Sequence, residues 1–155
     1  MLTKEQVQEI AGAVLDPVLN QPLSEYKAIK NVVVDAEAVA VTVNPGYPVK
    51  SVADELAARV KKALTEAGVT SALVTVEGNV IAHRVQRTLK TMAGVKNIIA
   101  ISSGKGGVGK STVAADPDGE VAGIYRQIAL RAAAYVARTA KDMSQIMPSV
   151  KVVND

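Results

Sequence analysis

A phosphate-loop pattern, G-x-x-x-x-G-K-[S/T], is present at Gly104-Lys105-Gly106-Gly107-Val108-Gly109-Lys110-Ser111. The pattern is informative only between a strand and a helix, where its glycines let backbone N–H groups curl around phosphate oxygens. Residues 97–101 (Asn-Ile-Ile-Ala-Ile) precede it without polar alternation, as expected for a strand buried in a parallel sheet. A flexible glycine linker is the alternative, but the spacing, the strand and the lysine together favour a phosphate loop.

The loop residues predict how phosphates would be held. Lys110 would neutralise the β and γ phosphates, and Ser111 would supply a hydroxyl to a magnesium ion between them. Hydrolysis needs more: a second strand bearing an aspartate for the magnesium shell and a residue that places the attacking water. Neither is visible in the sequence, so no catalytic residue is assigned.

Asp116 and Asp118 are the carboxylates that follow the loop most closely. Pro117 lies between them and would stop the helix behind the loop after barely two turns. The favoured role of these aspartates is to cap the next helix, which opens at Gly119-Glu120. That helix is predicted to run to about residue 147, with an apolar stripe at helical spacing between residues 121 and 136.

The first half of the chain predicts a small α+β unit. Thr3 and Gln6 have capping-box spacing, which predicts a helix over residues 3–15, ended by Asp16-Pro17. Val-rich runs at 28–35 and 38–43 predict a β-hairpin.

The same half continues with a second helix and a third strand. Ser51 and Asp54 have capping spacing for a helix that Gly68 ends. Its spaced side chains at 52, 56, 60 and 64 are interpreted as core positions rather than as a cofactor-binding motif. Residues 70–77 predict a half-buried strand.

The predicted fold class is therefore α+β. A small α-β-β-α-β domain spans residues 1–78, and a partly helical linker spans 79–96. Residues 97–155 form an incomplete P-loop (α/β) remnant of one strand, the phosphate loop and a long C-terminal helix. Because one parallel strand leaves backbone groups unpaired, residues 97–101 are expected to join the edge of the first sheet or to pair with another copy.

Composition limits the possible classes of protein. The chain has 155 residues, 48% of them hydrophobic, with neither Phe nor Trp, so an aliphatic core is expected. A net charge of +3 is too small to indicate nucleic-acid binding. The chain has no cysteine, which excludes disulfides and thiolate-held iron–sulfur clusters within it. No secretion signal and no membrane-spanning stretch is visible, so a cytoplasmic location is expected.

The extra lysine at Lys105 resembles the deviant P-loop of the partition and nitrogenase-iron-protein class of ATPases. Residues 94–104 (Gly-Val-Lys-Asn-Ile-Ile-Ala-Ile-Ser-Ser-Gly), preceded by a small α+β unit, look more narrowly like the Mrp (ApbC) family of iron–sulfur cluster carriers. The resemblance is continuous from residue 1 to about 114. Residues 116 to about 147 then resemble the C-terminal end of that family.

The resemblance implies ATP and Mg as cofactors. It also implies a homodimer in which Lys105 reaches the nucleotide of the partner, and it implies iron–sulfur assembly or client proteins as partners. The residues expected to bind the nucleotide are Gly104, Lys105, Gly106, Gly107, Val108, Gly109, Lys110, Ser111 and Thr112. Ser111 is the expected magnesium ligand.

The middle of the family's ATPase domain has no counterpart between the loop and the last helix. With it are missing the magnesium-binding aspartate strand, the switch segments and the Cys-x-x-Cys pair that holds the cluster in that family. Some relatives carry a cysteine in the loop that is Asn-Pro-Gly-Tyr-Pro at 44–48 here. His83, the sole histidine, is interpreted as a solvated linker residue.

Three functional hypotheses follow. The first is a shortened, catalytically impaired Mrp-type carrier with an ATP-binding loop. The second is a non-enzymatic interaction module, in which the N-terminal unit docks on iron–sulfur assembly partners; an exposed apolar patch on that unit would favour it. The third is a deletion product without a function of its own. A membrane partner is not expected, since no membrane-spanning stretch is visible. Nucleic-acid binding is not expected either, since no aromatic platform accompanies the basic residues Arg84, Arg87, Lys90 and Lys96.

Tyr47 is the last residue that the sequence singles out. It lies between Pro45 and Pro48 in a rigid turn, and this context predicts exposure. A partner site is one interpretation, and packing is the favoured one.

Overall fold

The computed structural model describes residues 2–35, 38–80, 93–98, 104, 107, 113 and 115–138. Over these residues the elements follow one another as α1 (Lys4–Ala13), a 3-10 helix (Leu23–Tyr26), β1 (Ile29–Val34), β2 (Val39–Val43), α2 (Ala53–Glu66), β3 (Ala72–Val76) and α3 (Glu120–Arg138). The predicted α-β-β-α-β order of the first half is confirmed, with the 3-10 helix as an addition.

The three strands form one mixed sheet in the order β1-β2-β3. β1 and β2 pair antiparallel as a hairpin, with Val32 opposite Val41. β2 and β3 pair parallel, with Val41 opposite Val74, and α2 is the crossover between them. The hairpin was predicted from its Val-rich runs, whereas the parallel pairing was not predicted.

The core lies between one face of the sheet and the two helices α1 and α2. α1 packs against β1, and α2 packs against β3. Alternate residues of the strands point inward, as the period of two requires. The buried side chains of this core are Val7, Ala11, Leu23, Ala28, Val32, Val39, Val41, Val43, Leu56, Val60, Leu64 and Val69. The prediction of core positions on α2 is thus confirmed for three of the four residues, and Val52 is half-buried.

α1 begins where the sequence predicts and ends two residues earlier. The Thr3 hydroxyl accepts from the Gln6 N–H, and the Gln6 side chain accepts from the Thr3 N–H, which completes the capping box. The helix ends at Ala13 rather than at residue 15 because Val14 is extended and Leu15 forms a β-bridge with Pro22.

α2 begins at Ala53, and its N-cap residue is Val52, which makes no side-chain capping bond. The predicted cap by Ser51 is therefore wrong. Asp54 lies in the first turn instead, where a carboxylate interacts favourably with the helix dipole. The end of the helix is as predicted, since the Gly68 N–H donates to the Thr65 carbonyl at 3.0 Å.

The C-terminal part is dominated by α3. Before it, Val113 and Ala115 are helical and Asp116 is not, so the helix behind the phosphate loop ends ahead of Pro117 as predicted. α3 spans Glu120–Arg138, and its predicted extension to residue 147 lies outside the described residues. Asn97 and Ile98 belong to no strand, and the rest of the predicted strand, residues 99–101, lies outside the described residues.

Candidate functional site at the 44–49 loop

The loop at residues 44–49 follows β2, at the carboxyl ends of the two parallel strands. Its turn is closed by the Asn44 side chain, whose Oδ1 accepts from the Gly46 N–H at 2.9 Å. Gly46 has φ +81°, a left-handed conformation that glycine adopts without steric cost. The Asn44 N–H donates to the Ala28 carbonyl at 2.7 Å, which ties the start of the loop to the residue before β1.

Tyr47 is fully buried, and its hydroxyl donates to Asp16 Oδ2 at 2.6 Å. The Tyr26 hydroxyl donates to the same oxygen at 2.6 Å. The other oxygen, Oδ1, accepts from the N–H groups of Val18 and Leu19 at 2.6 and 2.9 Å. Asp16 is itself fully buried, so a buried carboxylate with four donors holds three separate segments of the chain together.

The two phenols respond strongly to this environment. Burial is the main cause that raises the pKa of Tyr26 well above its usual range, and the hydrogen bond to Asp16 raises it further. The pKa of Tyr47 is raised for the same two reasons, in the same order. Both phenols therefore keep their protons in the folded protein, as donors to the carboxylate must. Asp16 is fully buried and accepts these four hydrogen bonds within the chain, so it fixes the 44–49 loop in place.

The predicted exposure of Tyr47 is wrong, whereas its interpretation as a packing residue is confirmed. The flanking prolines do form a turn, but a polar acceptor beneath the turn draws the ring inward. Asp16 was interpreted only as part of the helix-ending Asp-Pro pair. Nothing in local periodicity shows that residues 16, 26 and 47 meet, because they are separated by 10 and 21 positions.

α3 packs on the outside of this loop. Tyr47, Val49 and Ala134 form a second buried cluster, separate from the main core. Leu130, Ala133 and Ala137 of α3 line it from one side. The small alanine side chains allow the helix to approach the loop closely. The 44–49 loop is thus held from below by Asp16 and covered from above by α3.

Two grooves meet at Pro48, at the border between the loop and α3. The larger has a volume of about 650 Å³ and is lined by Pro48, Lys50, Ser51, Arg126, Ala129, Leu130 and Ala133. The smaller has a volume of about 360 Å³ and is lined by Pro48, Val80, Gly94, Lys96, Asn97, Ala133 and Val136. Arg126 is engaged within the chain, donating to the Pro117 carbonyl at 2.8 Å. The walls are mainly apolar, which is a surface for binding rather than for acid–base chemistry.

The phosphate loop is described at two of its residues. Gly104 and Gly107 are both exposed, and Gly107 has φ +75°, a conformation suited to glycine. Val113, shortly behind the loop, is helical. The other predicted nucleotide ligands lie outside the described residues: Lys105, Gly106, Val108, Gly109, Lys110, Ser111 and Thr112. The nucleotide site therefore stays a prediction.

The remaining singled-out residues are distributed as follows. His83, Arg84, Arg87 and Lys90 lie outside the described residues, and Lys96 is exposed. Asp116 accepts from the Gly119 N–H through its backbone carbonyl at 3.4 Å, and Asp118 lies 3.6 Å from Arg126. Among the described residues, no three His, Asp or Glu side chains are close enough to hold a metal ion. Within the same ranges, none of the helices combines the length and the apolarity needed to cross a bilayer.

Comparison with known proteins finds a family that matches the N-terminal domain. Residues 4–78 match the family described as iron–sulfur cluster assembly protein. The match covers the N-terminal domain, just under half of the chain, and the resemblance to the Mrp (ApbC) type of cluster carrier is confirmed.

Curated relatives extend the match beyond the domain. An iron–sulfur cluster carrier protein of Synechocystis is 37% identical over 117 residues, which cover 74% of this chain and 33% of the relative. A carrier protein of the same description from Pseudomonas fragi is 51% identical over 49 residues, covering 32% of this chain and 17% of the relative. The chain thus spans about a third or less of the length of these relatives. A solved domain of unknown function from Bacillus anthracis aligns with a TM-score of 0.44 and 21% identity, over 48% of this chain and 73% of that one.

Proposed function

We propose that this chain acts in iron–sulfur cluster assembly or delivery as a non-enzymatic docking module, with the N-terminal unit, residues 2–80, as its working part. The family of residues 4–78 and the description of the relatives as cluster carriers support the process. The partner in this proposal is an iron–sulfur assembly protein or a client protein that receives a cluster.

The observation that carries the proposal is the open face of the sheet. α1 and α2 cover one face, and the other presents Val33, Ala40 and Leu73 side by side across all three strands, in paired register. Leu73 keeps 66% of its surface exposed, and Val33 is also exposed. We call this row the sheet row. Adjacent apolar residues on an otherwise polar surface are typical of a protein-binding site.

The chemistry of the chain favours docking over carrying a cluster unaided. Thiolates are the usual cluster ligands, and the chain has no cysteine. The described carboxylates also form no metal-holding group. The residues of this chain are therefore unsuited to bind an iron–sulfur cluster. In this proposal the partner holds the cluster.

Substitutions in the sheet row test this proposal. Leu73→Glu places a charge at the centre of the docking surface, so we expect affinity for a partner to fall at least about tenfold. The matched control is Ala58→Glu, at an exposed position of α2 away from the sheet row. Binding is measured by calorimetry against the purified cluster scaffold and apo-client proteins of the same organism. The proposal is overturned if none of these proteins binds the wild-type chain, or if Leu73→Glu binds as well as the control.

A second candidate function is nucleotide binding at residues 104–112, with Ser111 as the magnesium ligand. The positive φ of Gly107 and the helical conformation of Val113 support it, because a phosphate loop needs a glycine turn leading into a helix. ATP bound there would make docking responsive to nucleotide. No catalytic residue is proposed.

Calorimetric titration with ATP and magnesium tests the nucleotide site. We expect micromolar binding that Lys110→Ala abolishes, because the lysine neutralises phosphate charge. Lys96→Ala is the matched control, since it removes an exposed lysine outside the loop. Absence of heat at every ATP concentration, or equal binding by both variants, would contradict the nucleotide site and leave the docking module in place.

A further inference from the structure

β3 is one of the two edge strands of the sheet, and within the described ranges it has a neighbouring strand on one side only. The Ser71 carbonyl accepts from the Val39 N–H at 2.9 Å, and the Glu77 N–H donates to the Val43 carbonyl at 2.8 Å. Because the backbone groups of a strand alternate between its two sides, the odd-numbered residues of 71–77 bond to β2. The backbone groups that point away from β2 are those of Ala72, Val74 and Val76. We call these groups the outer edge of β3.

The two edges of the sheet are built differently. β1 has a bulge between Ile29 and Asn31, with Lys30 as the extra residue. A charged residue and a bulge are both features that prevent a further strand from pairing. β3 pairs with β2 in regular register over Ala72–Val76, and it contains neither a charge nor a proline. The outer edge of β3 is therefore the edge that can accept another strand.

Burial shows the same difference between the edges. The inward residue Val32 of β1 is buried, as are the inward residues of β2. The inward residues of β3 contact the same core but are only half-buried: Ala72, Val74 and Val76. Among the described residues, the core is thus less covered at β3 than at β1. A fourth strand beside β3 would supply that cover.

We propose that an extended segment of the partner protein pairs with the outer edge of β3 as a fourth strand. This inference rests on the proposed docking function and adds how the partner is recognised. The outward groups of β3 recur every two residues, about 6.6 Å apart. An extended backbone offers donors and acceptors at the same spacing, whereas the backbone groups of a helix are already bonded within it. The partner therefore contributes an extended segment of about five residues, the length of β3.

The open face of the sheet predicts the side chains of that segment. Next to the apolar sheet row lies a second row, Asn31, Thr42 and Thr75, which is also in paired register. Neither row carries a charge, so the outward side chains of the added strand should be uncharged as well. The residue beside Leu73 would extend the sheet row and should be apolar. The residue beside Thr75 should be small and polar.

Amide hydrogen exchange, followed by NMR, tests the pairing on the unmodified chain. Without a partner, the N–H groups of Leu73 and Thr75 should exchange slowly because they bond to β2. The N–H groups of the outer edge should exchange at least about tenfold faster. The probe is the cluster scaffold or apo-client protein that binds the wild-type chain in calorimetry. In its complex, the N–H groups of the outer edge should slow by at least about tenfold.

A proline on β3 tests the same pairing through affinity. Val74→Pro removes one outward N–H and keeps the bonds to β2, since proline is tolerated on an edge strand where its nitrogen faces away from the sheet. We expect affinity for the partner to fall at least about tenfold, because backbone hydrogen bonds supply the affinity of an added strand. Val74→Ala is the matched control, since it shortens the side chain but keeps the N–H. Circular dichroism shows whether Val74→Pro keeps the sheet; if it does not, Ala72→Pro, at the first residue of β3, takes its place.

The outcomes separate this inference from the proposed function. If no scaffold or client protein binds the wild-type chain, both are overturned. If Leu73→Glu abolishes binding but Val74→Pro binds as well as Val74→Ala, the partner docks on the open face alone and the fourth strand is wrong. A complex in which the outer edge exchanges as fast as before has the same meaning. The fourth strand is also wrong if the outer edge is already slow without a partner, because another segment or a second copy then occupies it.

Discussion

The N-terminal unit and α3 use apolar side chains in opposite ways. The N-terminal unit buries twelve hydrophobic residues in one core between the sheet and two helices. α3 is the longest described helix, but only Ala122 and Ala134 are buried in it, and four of its large apolar side chains are exposed: Val121, Ile124, Ile128 and Tyr135. Burial of apolar surface is the dominant favourable term in folding. The N-terminal unit therefore supplies its own stability, whereas α3 depends on what it contacts.

Among the described residues, the two regions meet around the 44–49 loop, where side chains such as Val18 and Val52 pack on the same cluster as α3. Tyr47 reaches down to Asp16 within the N-terminal unit, and the same ring forms the cluster on which α3 packs. A change beneath this loop should therefore affect both regions, whereas a change in the core of one should leave the other less affected. The predictions below test that difference, beginning with the junction.

Asp16→Ala should have the largest effect. It leaves two phenols and two backbone N–H groups without their buried acceptor, so we expect the free energy of unfolding to fall by about 4 kcal/mol. Urea unfolding followed by circular dichroism measures this change. The Asp16 contacts also position Tyr47, so α3 should separate from the loop at lower urea than in the wild type.

Two variants control the Asp16 experiment. Tyr47→Phe keeps the ring and removes one hydrogen bond, so it should cost about 2 kcal/mol. Asp35→Asn changes an exposed carboxylate and should cost less than about 0.5 kcal/mol. If Asp16→Ala costs no more than Asp35→Asn, the buried carboxylate does not hold the loop.

The second prediction compares one apolar truncation in each region. Leu56→Ala opens a cavity in the core of the N-terminal unit, and we expect it to cost about 3 kcal/mol. Ile124→Ala truncates an exposed side chain of α3 and should change the free energy of unfolding by less than about 0.5 kcal/mol. Both are measured by urea unfolding at a protein concentration low enough to keep the chain monomeric. If the two substitutions lowered the free energy of unfolding equally, apolar side chains would contribute alike to stability in the N-terminal unit and in α3, and the proposed difference would be wrong.

The third prediction concerns alkaline pH. The pKa of both buried phenols is raised in the folded state, whereas in the unfolded chain it is about 10. The unfolded state therefore loses protons that the folded state keeps, so this contribution to stability is complete below pH 10 and declines as the pH rises above it. Unfolding free energies measured on either side of pH 10 should show this decline.

Near-ultraviolet phenolate absorbance checks the same prediction directly. Tyr26→Phe and Tyr47→Phe identify which part of the signal belongs to each ring. The buried rings should ionise together with the loss of native circular dichroism. A phenolate signal from either ring in protein that is still native would contradict the raised pKa values.

Sequence patterns predicted the elements of the N-terminal unit because each depends on local signals. The Thr3–Gln6 capping box, the Val-rich hairpin and the core positions Leu56, Val60 and Leu64 are all found in the structure. Errors occur at helix ends. Ser51 has the right spacing for a cap, but Val52 occupies the N-cap position of α2 and the serine makes no capping bond. Spacing alone does not fix the backbone conformation that a cap requires.

The candidate site was much less predictable than the elements. The contacts of Asp16 with Tyr26 and Tyr47 depend on how distant segments pack, and no periodicity encodes such contacts. The sheet row was also unpredicted, since it needs the parallel register of β2 and β3, which places Ala40 opposite Leu73. The exposed stripe of α3 was predicted from its spacing, because an amphipathic helix shows its stripe within its own sequence. The phosphate loop stays a prediction from its motif.

The smallest expected effect is at the start of α1. Thr3→Ala removes the hydroxyl that accepts from the Gln6 N–H at 3.3 Å, so one end of the capping box is lost. N-cap substitutions of this kind cost about 1 kcal/mol, and this site is exposed, so water can replace the lost acceptor. Thr3→Ser keeps the hydroxyl and should stay within about 0.3 kcal/mol of the wild type. Because α1 packs on the N-terminal core, the loss should appear in the urea unfolding of that unit. A Thr3→Ala variant that lowered the free energy of unfolding as much as Asp16→Ala does would contradict this ranking of the two sites.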